Sequence, residues 1–172
     1  MRRLKGIIMG YSLGPRVDSD CDIIRISISN VIDTDHVYTV YKDGTPFLEV
    51  MAPRCDWNPF NTACIFQNYL CIGLGDSVYF ASMKTREVKR ASVSLYFGYF
   101  YKYKNRLYVA SGEQLYCFDN ACELVWISDS IAVDGITIHQ ITDDGIEVSC
   151  EMDPPGGWVW RTLSLEDGKE YK

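Results

Sequence analysis

A module of strand, turn, strand, turn and strand constrains the fold of this chain most strongly, because the module recurs. It is clearest in residues 105–126, NRLYVASGEQLYCFDNACELVW. Side chains at 107–111 alternate between two faces, as in a half-buried strand. Gly112 and the pair Asp119-Asn120 supply turns, and apolar or aromatic runs supply the two later strands. Three short strands at this spacing predict a β-meander.

The module repeats on both sides of this stretch. In residues 68–88, Asn68 and Gly75 match Asn105 and Gly112, each 37 residues later. Two looser copies complete the set, at 144–165, where the loop DPPGG interrupts the pattern, and at 37–45. A repeat of about 40 residues with a few strands each is typical of propeller blades or a related β array.

We therefore predict an all-β chain of antiparallel β-meander repeats that forms a small or partial β-propeller-like array. At 172 residues, the chain is expected to be one domain, 1–172. The repeat-like units lie at approximately 22–60, 68–104, 105–142 and 143–172. A closed propeller needs at least four blades. A partial array would leave open sheet edges that something must cover.

The end of the central module resembles the PQQ-like and WD-like propeller repeats, in which LYxxD, a glycine and a tryptophan mark the strands and their connecting turn. Phe118-Asp119, followed by ACELVW at 121–126, is the closest match. The resemblance implies architecture alone, because the cofactor-binding and blade-locking residues of those families are not recognisable here. The DPPGGW turn is similar to one in uncharacterised bacterial propeller-like proteins, and it implies little about activity.

Composition narrows the classes of partner. The formal net charge of −6 disfavours a nucleic-acid binder, which should be basic. It is compatible with a positively charged protein partner. The seven cysteines are not spaced for zinc, and most fall on apolar strand positions, so we expect reduced thiols. We predict no cofactor.

Localisation follows from what the sequence lacks. No run approaches the roughly 20 apolar residues of a membrane span. The first residues, MRRLKGIIMG, do not continue into a signal peptide with a cleavage site. The sequence thus predicts a cytoplasmic protein with no membrane partner.

Two enzyme hypotheses remain open. Gly10-Tyr11-Ser12-Leu13-Gly14 fits the G-x-S-x-G elbow of α/β-hydrolases, in which Ser12 would need a base such as His139. The alternating carboxylates of Asp18, Asp20 and Asp22, with Glu151, could instead surround a metal ion. Both readings need distant residues to converge. The hydrolase reading also lacks the βα pattern of that fold.

The preferred interpretation is a non-catalytic protein-binding module, in its concrete form a bacterial immunity or antitoxin-like protein that neutralises a basic toxin. Aromatic and acidic side chains on loops are a usual composition of binding hot spots. The candidate partner-binding residues are Glu151, Asp153, Trp158, Trp160 and Trp126. A small-ligand-binding propeller is a further alternative.

Overall fold

The computed structural model describes residues 10–16, 22–25, 36–53 and 55–171. Over these ranges the chain has fifteen strands in four small sheets and no helix, which confirms the predicted all-β class. A membrane-spanning helix is accordingly not found in these ranges. The chain divides into two compact units, Met1–Arg54 and Cys55–Lys172.

The first unit contains one four-stranded sheet. Its strands are β1 (Tyr11–Gly14), β2 (Asp22–Arg25), β3 (His36–Lys42) and β4 (Thr45–Ala52), in the order β1-β3-β4-β2. β3 and β4 form the predicted hairpin, whose turn places Asp43 and Gly44 at φ 50° and 82°. An Asp-Gly pair suits this turn because both central residues need a positive φ. β2 pairs in parallel with β4, and the rest of the predicted strand at Ile26 and Ile28 lies outside the described residues.

The second unit contains three sheets, each an antiparallel meander in chain order. The first consists of β5 (Thr62–Phe66), β6 (Tyr69–Leu74), β7 (Ser77–Ser82) and β8 (Val88–Ser92). The second consists of β9 (Phe97–Tyr103), β10 (Arg106–Ser111), β11 (Leu115–Phe118) and β12 (Leu124–Ile127). The third consists of β13 (Ile136–Thr142), β14 (Gly145–Glu151) and β15 (Trp158–Leu163).

The predicted repeats and the observed sheets are out of phase by one strand. The module at 105–126 contains β10, β11 and β12, as predicted, but its sheet begins with β9. Likewise, β5 precedes the copy that starts at Asn68. The first strands, TACIF, FGYFYKY and ITIHQIT, differ strongly in sequence, so the similarity becomes visible only from the second strand of each sheet.

The two inner strands of the central sheet, β10 and β11, are buried on both faces. Along β10, Leu107 and Val109 pack into a cluster shared with the first sheet, while Tyr108 and Ala110 pack into a cluster shared with the third. Ring contacts join the sheets, since the Phe80 and Phe118 centroids are 4.9 Å apart. Stacked sheets of this kind are compatible with neighbouring blades of a partial propeller.

Repeated backbone hydrogen bonds also join neighbouring sheets. The amide of Phe97, where β9 begins, donates to the carbonyl of Gly75 at 2.7 Å. One repeat later, the amide of Gly135, just before β13, donates to the carbonyl of Gly112 at 2.8 Å. The turn after the second strand of one sheet therefore anchors the start of the next sheet. The segments that lead into the first strand of each sheet, β5, β9 and β13, therefore lie at the same end of the second unit.

Candidate functional site

An open pocket lies in the second unit where these segments meet. Two adjoining cavities, of about 290 and 390 Å³, share Phe60, Tyr96, Asp134 and Glu151 in their walls. We call the combined site the acidic-aromatic pocket and define it by seven residues: Trp57, Phe60, Tyr96, Tyr99, Asp134, Glu151 and Trp158. Each cavity is comparable with the lower end of the roughly 300 to 1,000 Å³ of small-molecule sites.

Stacked rings form one wall of the pocket. The Phe60 ring lies nearly parallel to Tyr96, with centroids 5.8 Å apart, and is tilted against Tyr99 at 5.3 Å. Trp57 and Trp158 are 62% and 45% exposed, so much of their aromatic surface faces solvent. Exposed aromatic rings around a concave opening offer a binding surface, because a ligand can cover apolar area that the folded chain leaves in contact with water.

Asn58 holds the segment that carries Trp57 and Phe60. Its side chain is buried, and Nδ2 donates to the carbonyls of Gly75 and Phe97 at 2.9 Å each. Its Oδ1 accepts a 2.9 Å hydrogen bond from the amide of Phe60. A buried amide with its groups satisfied fixes local geometry, because any movement would leave polar atoms unpaired. The aromatic wall is therefore anchored to the first and second sheets.

Glu151 and Trp158 face the pocket because they are paired across β14 and β15. The intervening loop turns back, and the amide of Gly156 donates to Oε1 of Glu151 at 2.7 Å. This bond orients the carboxylate. A Cβ atom built on Gly135 would lie 3.5 Å from Cη2 of Trp158 and 3.9 Å from Oε2 of Glu151. The second carboxylate oxygen and the indole edge therefore converge above Gly135.

The hydroxyl of Tyr96 connects the aromatic wall to the second carboxylate. It lies 2.8 Å from the backbone carbonyl of Asp134 and 3.0 Å from Oδ1, and it donates to this pair of oxygens. Burial, reinforced by the hydrogen bond to Asp134 and the nearby charge of Glu151, raises the pKa of Tyr96 well above its usual value. The phenol thus remains a neutral donor, and it holds the Asp134 carboxylate at the rim.

The electrostatics of the pocket favour a positive ligand. Its walls contain two carboxylates, and within the described part of the chain no lysine, arginine or histidine lines either cavity. Aromatic faces attract cations through their quadrupole, by about 0.5 to 1 kcal/mol at exposed sites and more when water is excluded. The arrangement can therefore bind a cationic group between rings and pair it with a carboxylate.

The structure brings together two of the five predicted partner-binding residues, Glu151 and Trp158. Asp153 lies in the loop between β14 and β15 but does not line either cavity. Trp160 stacks on His139, with centroids 4.2 Å apart and planes 21° apart, and it is highly exposed. His139 in turn makes a 2.7 Å hydrogen bond through Nε2 to the hydroxyl of Ser149. Trp160, His139 and Ser149 thus form a contact group of their own, and none of them lines the pocket.

Trp126, the fifth candidate, is a core residue. It is only 8% exposed, and its indole Nε1 donates to the carbonyl of Leu165 at 3.0 Å. Its ring covers Gly168, where a Cβ atom would come within 2.6 Å of ring carbons and where φ is 69°. Only glycine fits such a position without strain. Trp126 therefore closes the third sheet against the second, and we leave it out of the proposed binding surface.

Sequence reasoning did not identify Trp57, Phe60, Tyr96, Tyr99 or Asp134 as site residues. They come from three separate stretches, each just before or within the first strand of a sheet. The sequence could have indicated them through their equivalent positions in the repeats, because equivalent segments of stacked repeats lie at the same end of the array.

Among the described residues, no arrangement of side chains supports either enzyme hypothesis. Ser12 lies inside β1, with its Cα opposite Tyr41, and not at the strand-to-helix turn of a nucleophile elbow. Asp22 begins β2, and Asp18 and Asp20 lie outside the described residues. In the described ranges, no three His, Cys, Asp or Glu side chains are grouped closely enough to hold a metal ion.

No protein-family model and no curated protein matches this chain. The resemblance to PQQ-like and WD-like repeats is therefore carried only by the residues quoted for it.

Proposed function

We propose that this chain is a non-catalytic protein-binding module whose acidic-aromatic pocket receives a cationic side chain of a basic partner. One observation carries the proposal: Asp134 and Glu151 stand among five aromatic side chains in a pocket that has no basic residue among its described lining. The opening is concave, and hydrogen bonds hold its walls in place. A cation that enters it meets complementary charge.

An arginine guanidinium fits this chemistry best. It is planar, so one face can stack on an aromatic ring while its edge donates to a carboxylate. The indole of Trp158 and Oε2 of Glu151 meet above Gly135, so an aromatic ring and a carboxylate are within reach of one guanidinium. A neutral side chain would gain the ring contact but would leave the carboxylate desolvated without a partner. The pocket should therefore discriminate by charge.

The charge of the whole chain supports a basic protein partner. A net charge of −6 would steer a positively charged surface toward the pocket and raise the association rate at low salt. An immunity or antitoxin-like protein that masks the basic surface of a toxin is the concrete form of this proposal. It rests on the acidic charge and on the pocket.

The proposal is tested with a matched pair of short peptides that differ at one central residue, arginine or citrulline. Citrulline keeps the shape and most of the hydrogen bonds of arginine but is uncharged. By calorimetry, we expect the arginine peptide to bind at least about tenfold more tightly, a difference of about 1.4 kcal/mol. The difference should shrink as salt is added.

Equal affinities for the two peptides would overturn the role of charge. If arginine amide alone binds as tightly as the peptide, the pocket is better described as a small-ligand site, which is the alternative function. A matched glutamate peptide serves as the negative control, because its carboxylate would face Asp134 and Glu151.

A further inference from the structure

Three thiols lie together between the first and second sheets, and none of them lines the acidic-aromatic pocket. Cys64 is on β5, Cys71 is on β6 and Cys122 lies in the turn after β11. Cys71 and Cys122 belong to one buried cluster, and Cys64 packs against it. All three are free. Such a cluster is unusual among the described cysteines, since Cys117 and Cys150 lie on other strands without a thiol partner among their closest interactions.

Cys64 and Cys71 occupy directly opposite positions in the antiparallel pair β5–β6. Opposite residues in such a pair have Cα atoms about 4.5 or 5.5 Å apart, depending on the hydrogen-bonding pattern. Disulfides bridge Cα separations of about 4.4 to 6.8 Å. A bond between these two sulfurs would therefore form without separating the strands.

The two thiols differ in access and acidity. Cys64 is partly exposed, whereas Cys71 is completely buried. The hydrogen bond from Cys71 lowers the pKa of Cys64, and the positive charge of Lys102 adds to this effect. Burial raises the pKa of Cys71. Because the thiolate is the reactive form, Cys64 is the residue that an oxidant reaches and Cys71 is the one that follows.

We propose that Cys64 and Cys71 are a peroxide-oxidisable pair that closes to a cross-strand disulfide. The Cys64 thiolate attacks one oxygen of hydrogen peroxide, the O–O bond breaks, and hydroxide leaves, which gives a sulfenic acid at Cys64. The sulfur of Cys71 then attacks the sulfenic sulfur and loses its proton, and water leaves. Both cysteines are oxidised by one electron each, and one peroxide is reduced by two.

The disulfide would fasten β5 to the rest of its sheet. β5 is the first strand in the sheet order β5-β6-β7-β8 and is hydrogen-bonded only to β6 within it. A covalent cross-link between neighbouring strands limits the local opening of such a terminal strand. The modification would act on the stability of the first sheet and is independent of the proposed function of the pocket.

The test exposes the full chain to a small molar excess of hydrogen peroxide and maps the products by mass spectrometry after digestion. We expect the wild-type chain to lose two mass units through a bond between the peptides of Cys64 and Cys71. In Cys71→Ser, a sulfenic acid at Cys64 should persist and be captured by dimedone. Cys64→Ser should not form the bond, whereas Cys150→Ser should form it as the wild type does.

Mapping of the wild type alone decides the proposal, even if a variant fails to fold. A disulfide that joins Cys71 to Cys122, or one that involves Cys21, would overturn it. So would oxidation of Cys64 no faster than oxidation of Cys150, whose pKa burial raises to about 11.

Discussion

Replacing Gly73 by alanine is expected to destabilise the second unit by about 3 kcal/mol, the upper part of the usual range for overpacked cores. Gly73 lies on β6 directly beneath the ring of Phe97, and a Cβ atom there would overlap three ring carbons. Phe97 is fully buried within a core cluster, so its ring can move only if the neighbouring side chains move with it. Denaturant unfolding followed by circular dichroism measures the loss.

A thermodynamic cycle shows whether this overlap is the cause. Phe97→Ala alone should cost about 3 to 5 kcal/mol through the cavity it creates. The double variant should be markedly more stable than the sum of the two losses predicts, because removing the ring frees the space that the alanine needs. Gly10→Ala is the control, since no atom lies within 4 Å of its added Cβ. Additive losses, or a Gly73→Ala variant as stable as the control, would contradict the packing described here.

The contact between Gly73 and Phe97 is important because Phe97 joins two sheets and supports the pocket. Its amide donates to the carbonyl of Gly75, and its own carbonyl accepts from Asn58, the residue that positions Trp57 and Phe60. Loss of this ring should therefore also weaken the aromatic wall.

Neutralising either carboxylate of the pocket is expected to weaken binding of the arginine peptide by about tenfold, and neutralising both should weaken it further. Glu151→Gln keeps the size of the side chain and its hydrogen-bond acceptor for the amide of Gly156, but it removes the charge. Asp134→Asn does the same beside Tyr96. Calorimetry with the arginine and citrulline peptides separates the loss of charge from a loss of shape, because citrulline affinity should change little.

Asp153→Asn is the matched control for these variants. It removes one negative charge from the same loop, but Asp153 does not line either cavity. We expect this variant to bind as the wild type does, apart from a small salt-dependent effect. If all three single variants weaken binding equally, the overall acidity of the chain is responsible, and the pocket is not the site.

Local patterns predicted some of the strands and turns. The Asp-Gly hairpin is in the structure, and a turn at Gly112 separates β10 from β11. The alternation at 107–111 correctly predicts a strand, but the prediction that it is half-buried was wrong, because both faces of β10 are buried. The stacking of the sheets is less visible, because a central strand buried on both faces, such as Leu115–Phe118, reads as an apolar run without a preferred side.

The pocket could be predicted only in part. Glu151 and Trp158 flank one unusual loop, so sequence proximity made them candidates. Phe60, Tyr96 and Asp134 are separated by more than thirty residues from one another and meet only because the sheets stack in register. Trp126 looked equally suitable by composition, yet the absence of a side chain at Gly168 lets its ring pack inward.

The four tryptophans allow the most direct test of the claim that the acidic-aromatic pocket binds a cationic side chain. In a chain labelled with nitrogen-15 at the indoles, each tryptophan contributes one signal, and the arginine peptide is added stepwise. The indole signals of Trp57 and Trp158 should shift together and saturate, while those of Trp126 and Trp160 should stay in place. Shifts confined to Trp160, or no shift at Trp57 and Trp158 under saturating peptide, would contradict the account.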